Sequence, residues 1–307
     1  MSVKGYKAFN KGMICKGKQY KENTTYEENG NKICEAGVMH FCEEPFDVLN
    51  YYSLVDENGD ISDFADVEAV GDIYKREDKT ATNKLHIGAK LGLKGFIKAC
   101  VDFTIEKTRV EPIKDNGTDN NNNNSAQIGS SGDSAQIGSS GDSAQIGSSG
   151  YYAKIGSSGY SAQIGSSGYS AQIGSSGYYA KIGSSGDSTQ IGSSGYYAKI
   201  GSSGDSAKIG SSGDSAKIGS SGDYAKITSE GKDSVIMAAG YNSIARAKIG
   251  SWITLAEWIR TDKTDDKGNY IWIPKCAKTE CVDGERIKED TFYRLVDGEF
   301  KEVESEE

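Results

Sequence analysis

Four residues near the start of the chain, Cys15, Cys34, His40 and Cys42, have the chemistry of a metal or thiol site. Thiolate and imidazole together form a ligand set that suits zinc. No C-x-x-C pair is present, however, the fourth ligand is undefined, and an ordinary place in the core competes with coordination. For covalent catalysis Cys42 is the nucleophile and His40 its base, two residues apart and so on one side of a strand. That spacing shares a face without guaranteeing contact. His86, the only other histidine, stands between Leu85 and Ile87 and is expected as a packing or surface residue.

A second chemistry is suggested by a nine-residue unit repeated from Ser125 to Ile227. Nonapeptide rolls that hold calcium carry an aspartate in a glycine-rich turn. In Gly129-Ser130-Ser131-Gly132-Asp133 the acid comes one place early, and tyrosine replaces it at 151, 160, 169, 178 and 196. A calcium ladder would lose its carboxylates there. The outward strand residue is Gln or Lys and not a threonine row, which disfavours ice binding. Six Lys against six Asp between Ser125 and Ile227 make a poor mimic of a nucleic acid. No cofactor is expected; zinc and calcium are the subsidiary alternatives. Display remains: Tyr151, Tyr152, Tyr160, Tyr169, Tyr178, Tyr179, Tyr196 and Tyr197 are expected outward as adaptable aromatic contacts, with packing between coils as the competing role.

The elements that would position these groups follow from the repeat. Its isoleucines, expected to form the solenoid core, are Ile128, Ile137, Ile146, Ile155, Ile164, Ile173, Ile182, Ile191, Ile200, Ile209, Ile218 and Ile227. Ala and Ile two apart face one side of a strand while the Gln or Lys between them faces the other. Gly-Ser-Ser-Gly is expected to supply the corner. This pattern predicts a mainly β chain built on a parallel β-solenoid. Two repeats per turn, 18 residues, is the favoured coil and gives about six turns; 27 residues is the alternative. One buried Ile contributes about 1.5–3 kcal/mol, whereas ordering nine residues costs roughly 13 kcal/mol, so units must stack to be stable. Open strand edges then call for caps, for which the two flanks are the candidates.

The expected organisation is a small α+β domain over 1–112, an Asn-rich linker or loop over 113–124, the solenoid over 125–250, and an acidic β cap containing a hairpin over 251–307. Within the first unit, Pro45 is placed at the start of a short helix, Phe64 to Gly71 in an extended or edge segment, and Leu91–Phe103 in an amphipathic helix. In the last, Ile253–Ile259 and Tyr270–Pro274 predict a hairpin and Phe292–Val296 a further strand.

The stretches Gly5-Tyr6-Lys7-Ala8-Phe9-Asn10-Lys11, Cys15-Lys16-Gly17-Lys18-Gln19-Tyr20 and Gly37-Val38-Met39-His40-Phe41-Cys42 with Pro45 resemble a DUF7666-type domain, an uncharacterised domain of bacterial and prophage proteins. Val38-Met39 stands where that pattern has a single Phe. The resemblance implies a mobile-element setting and no established catalytic activity. Asn242-Ser243-Ile244-Ala245 is more weakly similar to the head repeats of trimeric bacterial adhesins, but an adhesin is not expected, because these residues show no signal-peptide, anchor or stalk pattern.

The net charge of −9 gathers at the C-terminus, where Asp283–Glu307 holds ten acidic and four basic residues. With no basic stripe, direct nucleic-acid binding is not expected. No apolar run is long enough to span a membrane. Six dilute cysteines point to free thiols. The expectation is a non-enzymatic interaction, display or spacer protein with a protein partner, homo-oligomerisation remaining open. It is placed in the host cytoplasm or, for a phage product, on the virion. A small enzyme or metal-binding module in 1–112, targeted by the solenoid, is the alternative.

Overall fold

The computed structural model describes residues 2–30, 37–56, 59–76, 78–108 and 125–304. Cys34 and the whole expected linker, 113–124, lie outside the described residues. The N-terminal part holds strands β1 (Val3–Phe9), β2 (Ile14–Cys15), β3 (Lys18–Gln19), β4 (Thr24–Glu27), β5 (Met39–Phe41), β6 (Asp63–Ala69), β7 (Ile73–Arg76), β8 (Lys79–Thr82) and β9 (Lys84–Leu91), followed by helix α1 (Leu93–Thr108). They form an antiparallel sheet in the order β1-β6-β9-β4, a smaller sheet β5-β8-β7 and the ribbon β2-β3. The Phe64 segment is thus an interior strand and not an edge. Its ring stacks on Phe96 of α1 with centroids 3.7 Å apart, fixing the helix to the sheet. Pro45–Asn50 is a 3₁₀ turn.

The repeats form a parallel β-solenoid of about seven turns over residues 127–255. Register decides the coil length: Ile128 pairs with Ile146, and Ile137 with Ile155, eighteen residues on. Alternate repeats therefore build two separate sheets. Each strand from Gln127–Ser130 to Lys217–Ser220 is x-Ile-Gly-Ser, as in Gln163–Ser166, so the first glycine and first serine of Gly-Ser-Ser-Gly belong to the strand. The corner begins only after them. Ile, the strand serine and the preceding Ala point inward and are buried, as at Ala171, Ile173 and Ser175. The predicted isoleucine rows fill this interior. Ile209, for example, pairs with Ile191 on one side and Ile227 on the other, and all three are fully buried. Ile146, Ile164, Ile182, Ile200 and Ile218 make the matching row on the other sheet. Ile128 departs from the expectation: at the first described strand of its sheet it pairs on one side only and is partly buried.

The strand serine's hydroxyl also accepts from the N–H of the glycine two residues on, 3.4 Å for Ser175 and Gly177. The second glycine is sterically required: a β-carbon on Gly159 would overlap the carbonyl oxygen of Gly141 one coil below.

The last parallel pairing carries Ile236 onto Ile253 and Ala238 onto Leu255. The strand Trp252–Thr264 then folds back antiparallel on Tyr270–Cys281. On the other sheet, Tyr293–Val296 crosses Ile244–Arg246 antiparallel and pairs with Glu299–Glu302. Tyr293, Leu295, Val282 and Ile287 join the isoleucine core and end the lattice. The N-terminal domain does not cap the opposite end. It lies along the side of the coil, with α1 and the Pro45–Asn50 turn against one sheet.

Candidate functional site

The two sheets carry nearly the same outward residues and meet different surroundings. On the covered sheet the strand glycines seat the N-terminal domain. Leu93, Ile97, Val101 and Thr104 follow one another along α1, and β-carbons built on Gly210, Gly174 and Gly156 would meet Leu93, Ile97 with Val101, and Val101 with Thr104. The rise of a helical turn, about 5.4 Å, nearly matches the ~4.8 Å step between strands, so successive turns rest on successive glycines. Phe46 and Leu54 fill the flank above Gly174 and Gly210. The outward polar residues beside them are all engaged. Lys154 pairs with Asp47, Gln136 donates to Glu44, Gln172 to Asn50, and Lys208 to the Ser53 hydroxyl. Arg246 joins Asp60 at 3.0 Å near the last coil. Burial raises the Asp47 carboxyl above its ordinary value, and the Lys154 hydrogen bond partly offsets this.

The eight predicted tyrosines are exposed by between 38% and 56%, but they do not form one patch. An 18-residue coil sends them to two edges. Tyr160, Tyr178, Tyr179, Tyr196 and Tyr197 occupy the corner after the covered strands; Tyr151, Tyr152 and Tyr169 occupy the opposite corner. The first group is continuous, with Tyr160 on Tyr178, Tyr178 on Tyr196 and Tyr179 on Tyr197 at centroid separations of 5.5 Å. The second edge continues above through Tyr224, Tyr241 and Trp272, a trio the sequence reading missed. Folding the repeat at eighteen residues, with Trp272 returning on a hairpin, is what aligns them. Among the described residues the eight hydroxyls have no hydrogen-bond partner.

Aspartate at the same corner position does different work. The carboxylates of Asp187, Asp205, Asp214 and Asp223 each accept the backbone N–H of the residue eighteen further on, at 2.7–2.9 Å. Asp thus fastens one coil to the next, and Tyr does so by ring stacking. The five-tyrosine edge also holds a backbone irregularity. Tyr179 N–H bonds down to Tyr160, whereas Tyr197 N–H bonds up to Asp214. Neither of these two amides therefore joins the Tyr179 coil to the Tyr197 coil, and Tyr197 turns to positive φ where the direction reverses. The stacks Tyr178–Tyr196 and Tyr179–Tyr197 bridge that junction.

Cys15, His40 and Cys42 line a separate cavity of about 620 Å³ in the N-terminal domain, together with Lys7, Tyr20 and Tyr52. Cys15 accepts the Tyr52 hydroxyl at 3.1 Å. His40 sits half-buried on β5, and burial followed by the nearby Lys7 charge lowers its imidazole to about 4. Cys42 follows β5, and burial, then Asp47, pushes its thiol up to about 12. A protonated thiol is a poor nucleophile at neutral pH. Among the described residues no group of three or more His, Cys, Asp or Glu side chains comes together as a metal would require. The feature the sequence reading missed is Lys7, which is buried, donates to the His40 carbonyl at 2.7 Å and lies over the Phe9 and Tyr20 rings. Burial lowers its amine below the ordinary lysine value. Its place in the Lys7-Ala8-Phe9 run, between two inward aromatics, was the available signal. His86 bonds Thr25 across β4 and β9 at 3.0 Å.

No curated protein matches this chain, and no solved structure matches it. Residues 3–99, from β1 into α1, match the family described as a domain of unknown function (DUF7666).

Proposed function

We propose that this chain is a non-enzymatic interaction and display protein whose solenoid holds aromatic edges at fixed spacing toward a protein partner. The observation that carries this reading is the five-tyrosine edge. Its rings are exposed, mutually stacked and free of hydrogen bonds among the described residues, and they sit where Asp or Ser serves the coil elsewhere. Amphipathic rings that are already ordered bury area on binding at little entropic cost. The mobile-element setting implied by the N-terminal resemblance suits a product aimed at a host protein, in the host cytoplasm or carried on a virion.

The test uses the chain's own alternatives. Tyr160, Tyr178 and Tyr196 become Asp, and Tyr179 and Tyr197 become Ser. Wild type and variant are isolated from host cells and their associated proteins quantified, with circular dichroism to check the coil. Loss of a specific partner from the variant supports the reading; the same partners at the same yield would overturn it. A second reading, a small-molecule site in the N-terminal domain, is favoured by the cavity around buried Lys7. An amine held below its usual basicity among tyrosines suits a carbonyl ligand, which a neutral amine can attack. Thermal-shift screening of wild type against Lys7→Met tests it, with a Lys7-dependent hit supporting the reading and its absence weighing against it.

A further inference from the structure

The outer surface of the second sheet bears the same glycine row and is bare. β-carbons built on Gly129, Gly147 and Gly201 would meet nothing within 4 Å, and those on Gly165 and Gly183 only a carbonyl oxygen at 4.0 Å. None of these glycines has a positive φ. Neither backbone conformation nor packing within the chain accounts for them, although glycine weakens a strand interior and marks sites where another molecule comes close. The row floors a shallow groove of about 1280 Å³ running from Gln127 to Met237. Six strand steps make it about 29 Å long, room for roughly 19 residues of helix.

Its walls carry a charge pattern. Lys181, Lys199 and Lys217 lie in parallel register, exposed and stacked one per coil. Among the described residues none of the three makes an ion pair. At the equivalent position on the covered sheet, Lys154 meets Asp47 and Glu44 of the N-terminal domain. Exposed Val235, Met237 and Trp252 close the far end with apolar surface.

We propose that this open glycine face is a docking site for an amphipathic α-helix of a partner protein, with branched or small apolar residues every three to four positions and carboxylates set against the lysine row. The covered face supplies the template: one turn of helix per coil, aliphatic side chains over the strand glycines, and acidic groups, there Glu44 and Asp47 of the adjacent turn, on the outward lysine. The inference rests on the interaction reading but uses a different surface from the tyrosine edges.

The probe is a fluorescent 16-residue peptide with the α1 sequence carrying K94E, K98E and K107E, titrated into the full chain by anisotropy. Saturable one-to-one binding is expected. It should weaken at least tenfold in K181E/K199E/K217E and at least tenfold in Gly165→Val/Gly183→Val, whose new side chains point into open space and leave the fold intact by circular dichroism. The unaltered α1 peptide should bind at least tenfold more weakly. No binding, or binding indifferent to both sets of substitutions, overturns the proposal. So does a concentration-dependent dimer by light scattering that the valine pair dissociates, because a second copy would then own the face. A partner captured through the tyrosine edge survives any of these results, so the two readings fail separately.

Discussion

Placing the same substitution on opposite faces of the coil isolates what the strand glycines do. Gly156→Val on the covered face puts a β-carbon 3.2 Å from the Val101 α-carbon and 3.3 Å from the Thr104 β-carbon. Ordinary carbon contacts fall at about 3.5–4.0 Å, and the two added methyls reach about 1.5 Å further into the helix. The obstruction is helix backbone, so no rotamer change relieves it. Overpacking of this kind costs about 1–3 kcal/mol. Opposing it are Leu54, Leu93, Ile97 and Val101, all buried where the domain meets the coil. Even half of their burial, at about 1 kcal/mol each, amounts to roughly 4 kcal/mol. The single variant should therefore remain docked but lose about 1–3 kcal/mol, and adding Gly174→Val should lift the domain off. Gly147→Val, facing empty space, should be neutral or stabilising by up to about 1 kcal/mol. Urea unfolding gives the energies, and hydrogen exchange at the α1 amides reports undocking. Equal losses from Gly156→Val and Gly147→Val would refute the account, because the cost would then belong to the strand and not to the docked helix.

Ile191→Ala in the middle of the stack should cost about 2–5 kcal/mol by denaturant unfolding; Ile128→Ala, in the partly buried first coil, should cost less than half as much. Asp205→Ala removes the acceptor for the Asp223 N–H and should cost about 1 kcal/mol, with Asp205→Asn retaining most of it. Lys154→Met leaves Asp47 buried without its cation, a loss of up to about 3–5 kcal/mol at pH 7. Because the Asp47 pKa is raised on folding, the cost of its ionised form is absent below the unfolded value and appears as pH rises through the folded value. The Lys154→Met penalty should accordingly shrink near pH 4. His40 has the opposite linkage: with its folded pKa lowered to about 4 from 6.5, stability present above pH 6.5 is lost as pH falls toward 4. After discounting for partial exposure the effect is about 1 kcal/mol between pH 7 and 5, and His40→Gln should remove that part of the slope.

Strong periodicity made some of this legible in the sequence. Isoleucine every nine residues, with Ala two before it, dictates inward rows, and those rows leave a stacked coil as the only means of burial. The hairpin at Trp252–Cys281 was visible for the same reason, as alternating runs around a polar turn. Helix α1 shows where the reading stopped. Its spacing picks out Leu93, Phe96, Cys100 and Phe103 as one apolar face, but Leu93 turns toward the solenoid together with Ile97 and Val101, which that face left out. A helix apolar on both sides is one packed between two layers. Those two residues carried the information that the N-terminal domain lies along the coil. The cavity lysine was hidden for a simpler reason: a single Lys in a strand looks solvated until its neighbours' burial is known.

The repeat itself contains a distinction that period-counting cannot make, because its two glycines look alike and are held by different forces. The second glycine is fixed from within: at Gly159, Gly177 and their equivalents a β-carbon would strike the carbonyl of the coil below, so the stack forbids any side chain. The first glycine is fixed only from outside, and only on the face where α1 lies. A tandem array copies both faces together, and that alone could carry glycine onto the open side. The outward residues nevertheless differ between faces. On the open side the row runs Gln, Gln, Gln, Lys, Lys, Lys before turning apolar at Val235, whereas the covered side runs Gln, Lys, Gln, Gln, Lys, Lys, with Gln136, Lys154, Gln172, Gln190 and Lys208 each bonded to a particular group of the N-terminal domain. Passive copying of an 18-residue coil would preserve each face's residue from one coil to the next, and neither row is uniform. The block of three lysines beside bare glycine is therefore a feature of that surface in its own right, and the Gly165→Val/Gly183→Val variant asks whether the surface needs its glycines when nothing inside the chain does.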